Sequence, residues 1–164
     1  MAIHTATFKA FEKAMKDLGP YYVEIGVISG KSKNSRKETA KMGVTNADLM
    51  FIHENGSHVN NIPKRPVLQM TIDYAKKELL PEYIYKACSN YISSGFKREA
   101  FEKPLKQMCI KMEGYARDII YSNDGRLTPN APSTIRKKGD NHPLFDTGQL
   151  ARSITCRLVQ GRNY

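Results

Sequence analysis

Only two stretches of this chain alternate apolar and polar residues with the period of a strand, and they lie at opposite ends of it. In residues 21–29, Tyr21, Val23, Ile25 and Val27 fall on one side, with Tyr22, Glu24, Gly26 and Ile28 on the other. In residues 152–159, Ile154, Cys156 and Leu158 oppose Ser153, Thr155 and Arg157. Successive side chains leave a strand on opposite faces, so this alternation suits a half-buried sheet. Between the two stretches, apolar residues recur at every third or fourth position, which is helical spacing. The expected fold is therefore α+β: a small antiparallel sheet packed against several helices, two of them long, with a long basic loop. At 164 residues the chain makes a single domain, large enough to bury roughly 70% of its unfolded surface. Two strands alone are marginal. Either the sheet has a member that the alternation does not reveal, or another subunit completes an edge.

The helices are punctuated clearly. Residues 3–18 carry Phe8, Phe11, Met15 and Leu18 on one face and Lys9, Glu12, Lys13 and Lys16 on the other, and are expected to dock on the sheet. A short helix over residues 47–54 is capped by Thr45 or Asn46. Pro66 opens a longer one with Leu68, Ile72, Ala75 and Leu79 inward. Pro81 must kink that helix or begin a new one, which carries Ile84, Ala87, Cys88 and Tyr91. Residues 97–121 repeat the pattern through Phe101, Leu105, Met108, Met112, Tyr115 and Ile119, with Pro104 marking a first turn. Pro132 and Gly139 bracket a short helix, and Asp146 with Gln149 has the spacing of a capping box before the final strand.

The charge of the chain bears on partners. A net +10 points to a polyanion or an acidic protein. Five of the cations crowd into residues 30–44, where Lys31, Lys33, Arg36, Lys37 and Lys41 meet one acid, Glu38. Such a loop is either solvated or a phosphate-contacting arm that gains affinity by counterion release. It has no interleaved aromatics, so base stacking is not implied. No stretch is apolar enough to span a membrane.

Candidate chemistry is sparse. The residues His53, Glu54 and His58 resemble a zinc-protease motif, but the second histidine stands at i+5 rather than i+4, and Gly56 interrupts the helix between them. Local hydrogen bonds at a helix end account for them better than a metal does. Cys88, Cys109 and Cys156 form no C-x-x-C pair, so a disulfide framework is not expected and a reducing cytoplasm fits. No catalytic residue, cofactor or metal is implied.

Four blocks, in order, carry a resemblance. They are Ile-His-Glu-x-Gly-Ser at residues 52–57, Ile-Pro-x-Arg-Pro at 62–66, Thr-Ile-x-x-Lys at 134–138, and Pro-Leu-x-Asp-Thr-Gly-x-Leu-x-x-Ser-Ile at 143–154. With the helix and strand before them, they resemble the small neck and tail-completion proteins of tailed bacteriophages, also described as minor tail components or virion morphogenesis proteins. The chain departs from that pattern at Val67 and Asn55, where aromatics are usual, and in its basic loop. The resemblance implies a structural virion protein and not an enzyme. It would be made in the host cytoplasm and form a hexameric or dodecameric ring at the head–tail junction, touching neighbouring neck, tail-terminator or tail-tube proteins. Subunit or partner contacts are expected at His53, Glu54, Ile62, Arg65, Pro66, Asp146, Gly148 and Leu150, with Arg65 exposed between its prolines. Transient, sequence-independent DNA contact would fall to Lys31, Lys33, Arg36 and Lys37. The alternatives are a small cytoplasmic basic nucleic-acid-binding protein, which rests on charge alone, and a metal-dependent hydrolase built on His53, Glu54 and His58.

Overall fold

The computed structural model describes residues 2–27 and 43–161, with side chains from residue 8 onward. Of the basic segment 30–44, only residues 43 and 44 fall within that range, so Lys31, Lys33, Arg36 and Lys37 lie outside the described residues. The fold is α+β. Strands β1 (Tyr21–Val27) and β2 (Ile154–Gln160) pair antiparallel from Tyr21 opposite Gln160 to Val27 opposite Ile154. Helix α1 (Ala2–Leu18) precedes β1, and α2 (Asn46–Asn55), α3 (Val67–Tyr74), α4 (Leu80–Ser93), α5 (Arg98–Tyr121), α6 (Pro132–Lys138) and α7 (Gln149–Ser153) separate the strands.

A sheet of two strands persists here because α5 covers one of its edges. The Cys156 N–H, on the side of β2 away from β1, donates to Glu113 Oε1 at 2.8 Å. Arg117 Nη2 donates to the Ile154 carbonyl at 2.9 Å and pairs with Glu113 Oε2 at the same distance. One i, i+4 ion pair on α5 thus supplies the acceptor and the donor that a third strand would have offered. Among the described residues, no strand pairs with the outer edge of β1. The inward face of the sheet, Val23, Ile25, Cys156 and Leu158, packs against the Met108 and Met112 side of α5. Cys156 there meets Cys109, and both thiols are free.

The long helix made by α3 and α4 differs from its predicted stripe in an instructive way. Its buried positions are Val67, Thr71, Ala75, Leu79, Tyr83, Ala87 and Tyr91, whereas Leu68 and Ile72 are half-buried and Ile84 is exposed. Thr71 enters the core because its hydroxyl donates to the Val67 carbonyl one turn back, leaving no polar group unpaired. Pro81 does not break the helix. A π-turn at Ala75–Leu79 links α3 to α4, and the Leu80 N–H reaches back five residues to Ala75 O. The widened turn comes just before the position where proline would clash with, and fail to bond, the preceding turn. Pro104 also sits inside a helix, in the second turn of α5 and not at its start.

Helix α1 docks by its C-terminal half against the α4–α5 junction rather than along the sheet. Phe11 lies 6.4 Å from Phe96, Tyr91 Oη donates to Ala14 O, and Arg98 donates to Asp17 O. Leu18 is buried, but Phe8 and Met15 of the predicted stripe remain exposed.

Where β1 begins, Tyr21 donates its phenol to Glu102 Oε1 at 2.8 Å and packs on Phe101. Burial, and then the Glu102 carboxylate, push this phenol up to about 12. The folded state therefore favours the neutral ring, and the associated stability is full below the ordinary ionisation near 10 and lost as pH rises toward 12. Thermal melts between pH 9 and pH 12 should fall more steeply for the wild type than for Tyr21→Phe. Parallel curves would remove Tyr21 from the account.

Candidate functional site

The site is built from two tight turns. Helix α2 starts on a capping box, in which Asp48 N donates to Thr45 Oγ1 at 3.2 Å and Thr45 N donates to Asp48 Oδ2 at 2.8 Å. It stops at Gly56, whose N–H bonds Ile52 O at 2.7 Å with φ 75° and ψ 173°. Ser57 and Ile62 then exchange backbone hydrogen bonds of 2.9 and 2.8 Å, a bridge that turns the chain back beneath α2. The return is fixed by Arg65 N donating to His53 O at 2.7 Å. Immediately afterwards the Glu54 carboxylate accepts from Leu68 N (3.0 Å) and Gln69 N (2.8 Å). An anion at these orphan donors caps α3 where Pro66 supplies no side-chain cap. Glu54 thus links the first motif block to the helix that the second block opens.

Arg65 is not the exposed contact that its flanking prolines suggest. It is only 5% exposed. Its Nε donates to Thr128 O at 2.7 Å and its Nη2 to Pro129 O at 2.8 Å, with Asn130 Oδ1 at 3.3 Å. Nη1 stands 3.4 Å from His53 Nδ1. Burial lowers the guanidinium pKa, yet arginine stays protonated. The planar fork ties the segment entering α6 to the turn leaving α2, and Thr128 Oγ1 returns a bond to Lys64 O.

The third wall is the loop between α6 and α7. Lys138, at the end of α6, donates to the carbonyls of His142 (2.9 Å) and Phe145. His142 stacks on Phe145 at 4.5 Å, and its Nε2 bonds Ile120 O at 2.7 Å. The expected capping box is not formed. Gly148, at φ 71°, is the residue before α7, which has no side-chain cap, and Asp146 is left exposed. A methyl group on Gly148 would meet Arg152 Nη1 at 3.0 Å and both Tyr121 and Phe145 at 3.4 Å, which explains why a buried glycine stands there.

Together these walls enclose a cleft of about 860 Å³. It brings together His53, Ile62, Arg65, Asp146 and Leu150 from the predicted contact set, and adds Leu49, Asn130, Lys137, Lys138, Leu144 and Phe145. Glu54, Pro66 and Gly148 do not line it and act as supports. Leu150 is 2% exposed, so its role is packing and not direct contact. His58 lies on the turn, outside the cleft lining, and among the described residues no three metal-ligating side chains cluster. Sequence reasoning missed Thr128, Pro129 and Asn130. The first two act through backbone carbonyls, which leave no signature in the residue string.

Comparison of the chain with protein-family models, with curated proteins and with solved structures finds no match.

Proposed function

We propose that this protein is a structural subunit of a tailed-phage virion. In this reading it is a neck or tail-completion protein that assembles into a ring at the head–tail junction, through which DNA passes. It acts by shape and contact, not by catalysis. The observation that carries the reading is convergence. Blocks separated by much of the chain supply one cleft: His53 from the first, Ile62 and Arg65 from the second, Lys137 and Lys138 from the third, and Leu144 and Asp146 from the fourth. Residues so dispersed in sequence and so close in space suit a contact surface. Large apolar side chains stand exposed on the same elements, Phe51 at 70% and Val59 at 96%. Neither lines the cleft, so they offer subunit contacts separate from it. The +10 charge suits the wall of a DNA channel, where sequence-independent phosphate contact lets the genome slide. Lys31, Lys33, Arg36 and Lys37 are assigned to that wall.

Light scattering and negative-stain imaging at tens of micromolar should reveal ring-shaped oligomers. The double variant Phe51→Asp, Val59→Asp should leave monomers that melt like the wild type. A wild-type protein that stays monomeric, alone and with DNA, would remove the basis for the ring.

A further inference from the structure

Arg65 buries a formal charge, and none of its hydrogen-bond acceptors is a carboxylate. They are two backbone carbonyls, an amide oxygen and a ring nitrogen, none of them an anion. A buried cation with no anionic partner is incompletely compensated. The cleft that it lines adds two cations, Lys137 and Lys138, against one carboxylate, Asp146.

Asn130 supplies an independent observation. Its Oδ1 accepts from Arg65 Nη2, which fixes the orientation of the amide, because the flipped group would set two donors face to face. The Nδ2 is consequently a donor, it is fully buried, and it has no acceptor. It belongs to a residue that lines the cleft beside the guanidinium. A cation and an orphan donor side by side lack the same thing, an oxyanion.

The remaining wall selects the kind of oxyanion. Leu49, Ile62, Leu144 and Phe145 give the cleft an apolar side. A nucleic-acid backbone presents charge without an apolar body. An acidic residue with aliphatic neighbours presents both, and about 860 Å³ accommodates a segment of a few residues. We propose that the cleft binds a short segment of a partner protein in which an Asp or Glu carboxylate lies beside aliphatic side chains. The carboxylate seats against Arg65, and Asn130 Nδ2, closed off from solvent in the free protein, turns outward to meet it; Lys137 adds long-range attraction, and the apolar wall takes the neighbours. The proposal rests on the cleft and not on ring assembly, so a monomeric protein would bind the segment equally well.

The probe is the peptide Ac-Leu-Glu-Leu-NH2, titrated at up to millimolar concentration into the 15N-labelled full-length protein. Its neutral counterpart Ac-Leu-Gln-Leu-NH2 and a short DNA duplex are titrated in parallel. Saturable shifts are expected at the amides of Ile62 and Leu144 and at the Asn130 side chain, with about tenfold weaker binding of the glutamine peptide. Asn130→Asp places a carboxylate against Arg65 from within the chain. That variant should melt above the wild type and lose the peptide. The proposal is overturned by equal binding of the two peptides, by no saturable shift at those amides, or by shifts there with the duplex alone. An Asn130→Asp protein that melts lower, or that still binds the peptide, overturns it as well.

Discussion

Arg65→Ala is expected to lower the free energy of unfolding by about 3 kcal/mol, and the melting temperature by roughly 6–12 °C for a chain of this size. Truncation removes the donors that hold the Thr128 and Pro129 carbonyls at 2.7 and 2.8 Å, and it opens a void under a residue that is 5% exposed. Arg65→Lys distinguishes the fork from the charge. Lysine keeps the cation but offers one compact ammonium, which cannot bond Thr128 O, Pro129 O and the His53 ring from one position. It should lose about 2 kcal/mol, read by urea denaturation. A lysine variant within about 0.5 kcal/mol of the wild type would mean that packing of the aliphatic stem, and not the fork, holds the turn.

Gly56→Ala should cost a similar amount, about 3 kcal/mol, by a different route. At φ 75° and ψ 173° the backbone occupies a region essentially restricted to glycine, worth about 1–3 kcal/mol in strain for any other residue. A Cβ there would also stand 3.1 Å from both Ile62 O and Lys64 N. Those atoms are backbone, and Ile62 O is committed to the bridge with Ser57, so neither can retreat without opening the turn that delivers Arg65. Gly139→Ala is the control. Its φ of 75° carries the left-handed penalty, but nothing lies within 4 Å, so about 1 kcal/mol is expected. Equal losses at the two glycines would show that crowding at Gly56 is relieved at no cost.

Both variants act on a site whose parts were only half legible in the residue string. The capping residue Thr45, the stop at Gly56 and the helix between Pro132 and Gly139 are local: each depends on a few neighbouring backbone groups, and each forms where expected. Arg65 between two prolines reads as extended and exposed for equally local reasons, and the exposure is not found. Its burial is not local, because it is caused by carbonyls from a segment sixty-odd positions later. The capping box at Asp146 fails for a related reason. Gly148, whose site has no room for a side chain beside Tyr121, Phe145 and Arg152, takes the left-handed position directly before α7, and Asp146 is left in solvent.

The same division runs through the whole protein. Periodicity by itself determined the α+β class, the two strands, and the long helices over residues 67–93 and 98–121, since which residues share a face follows from repeat length alone. It could not decide which face of a helix is deepest: Thr71 outranks Leu68 because its hydroxyl is satisfied within its own turn. Nor could it decide how a sheet of two strands survives. That depends on Glu113 and Arg117 reaching the edge of β2 from another element, pairings of polar groups across 43 and 37 residues that no local pattern encodes. The cleft belongs to the second kind. Its blocks could be read one at a time, but only the packing of α2, α6 and the loop before α7 made them one surface, with a residue bearing a buried cation and a residue bearing an orphan donor in its lining.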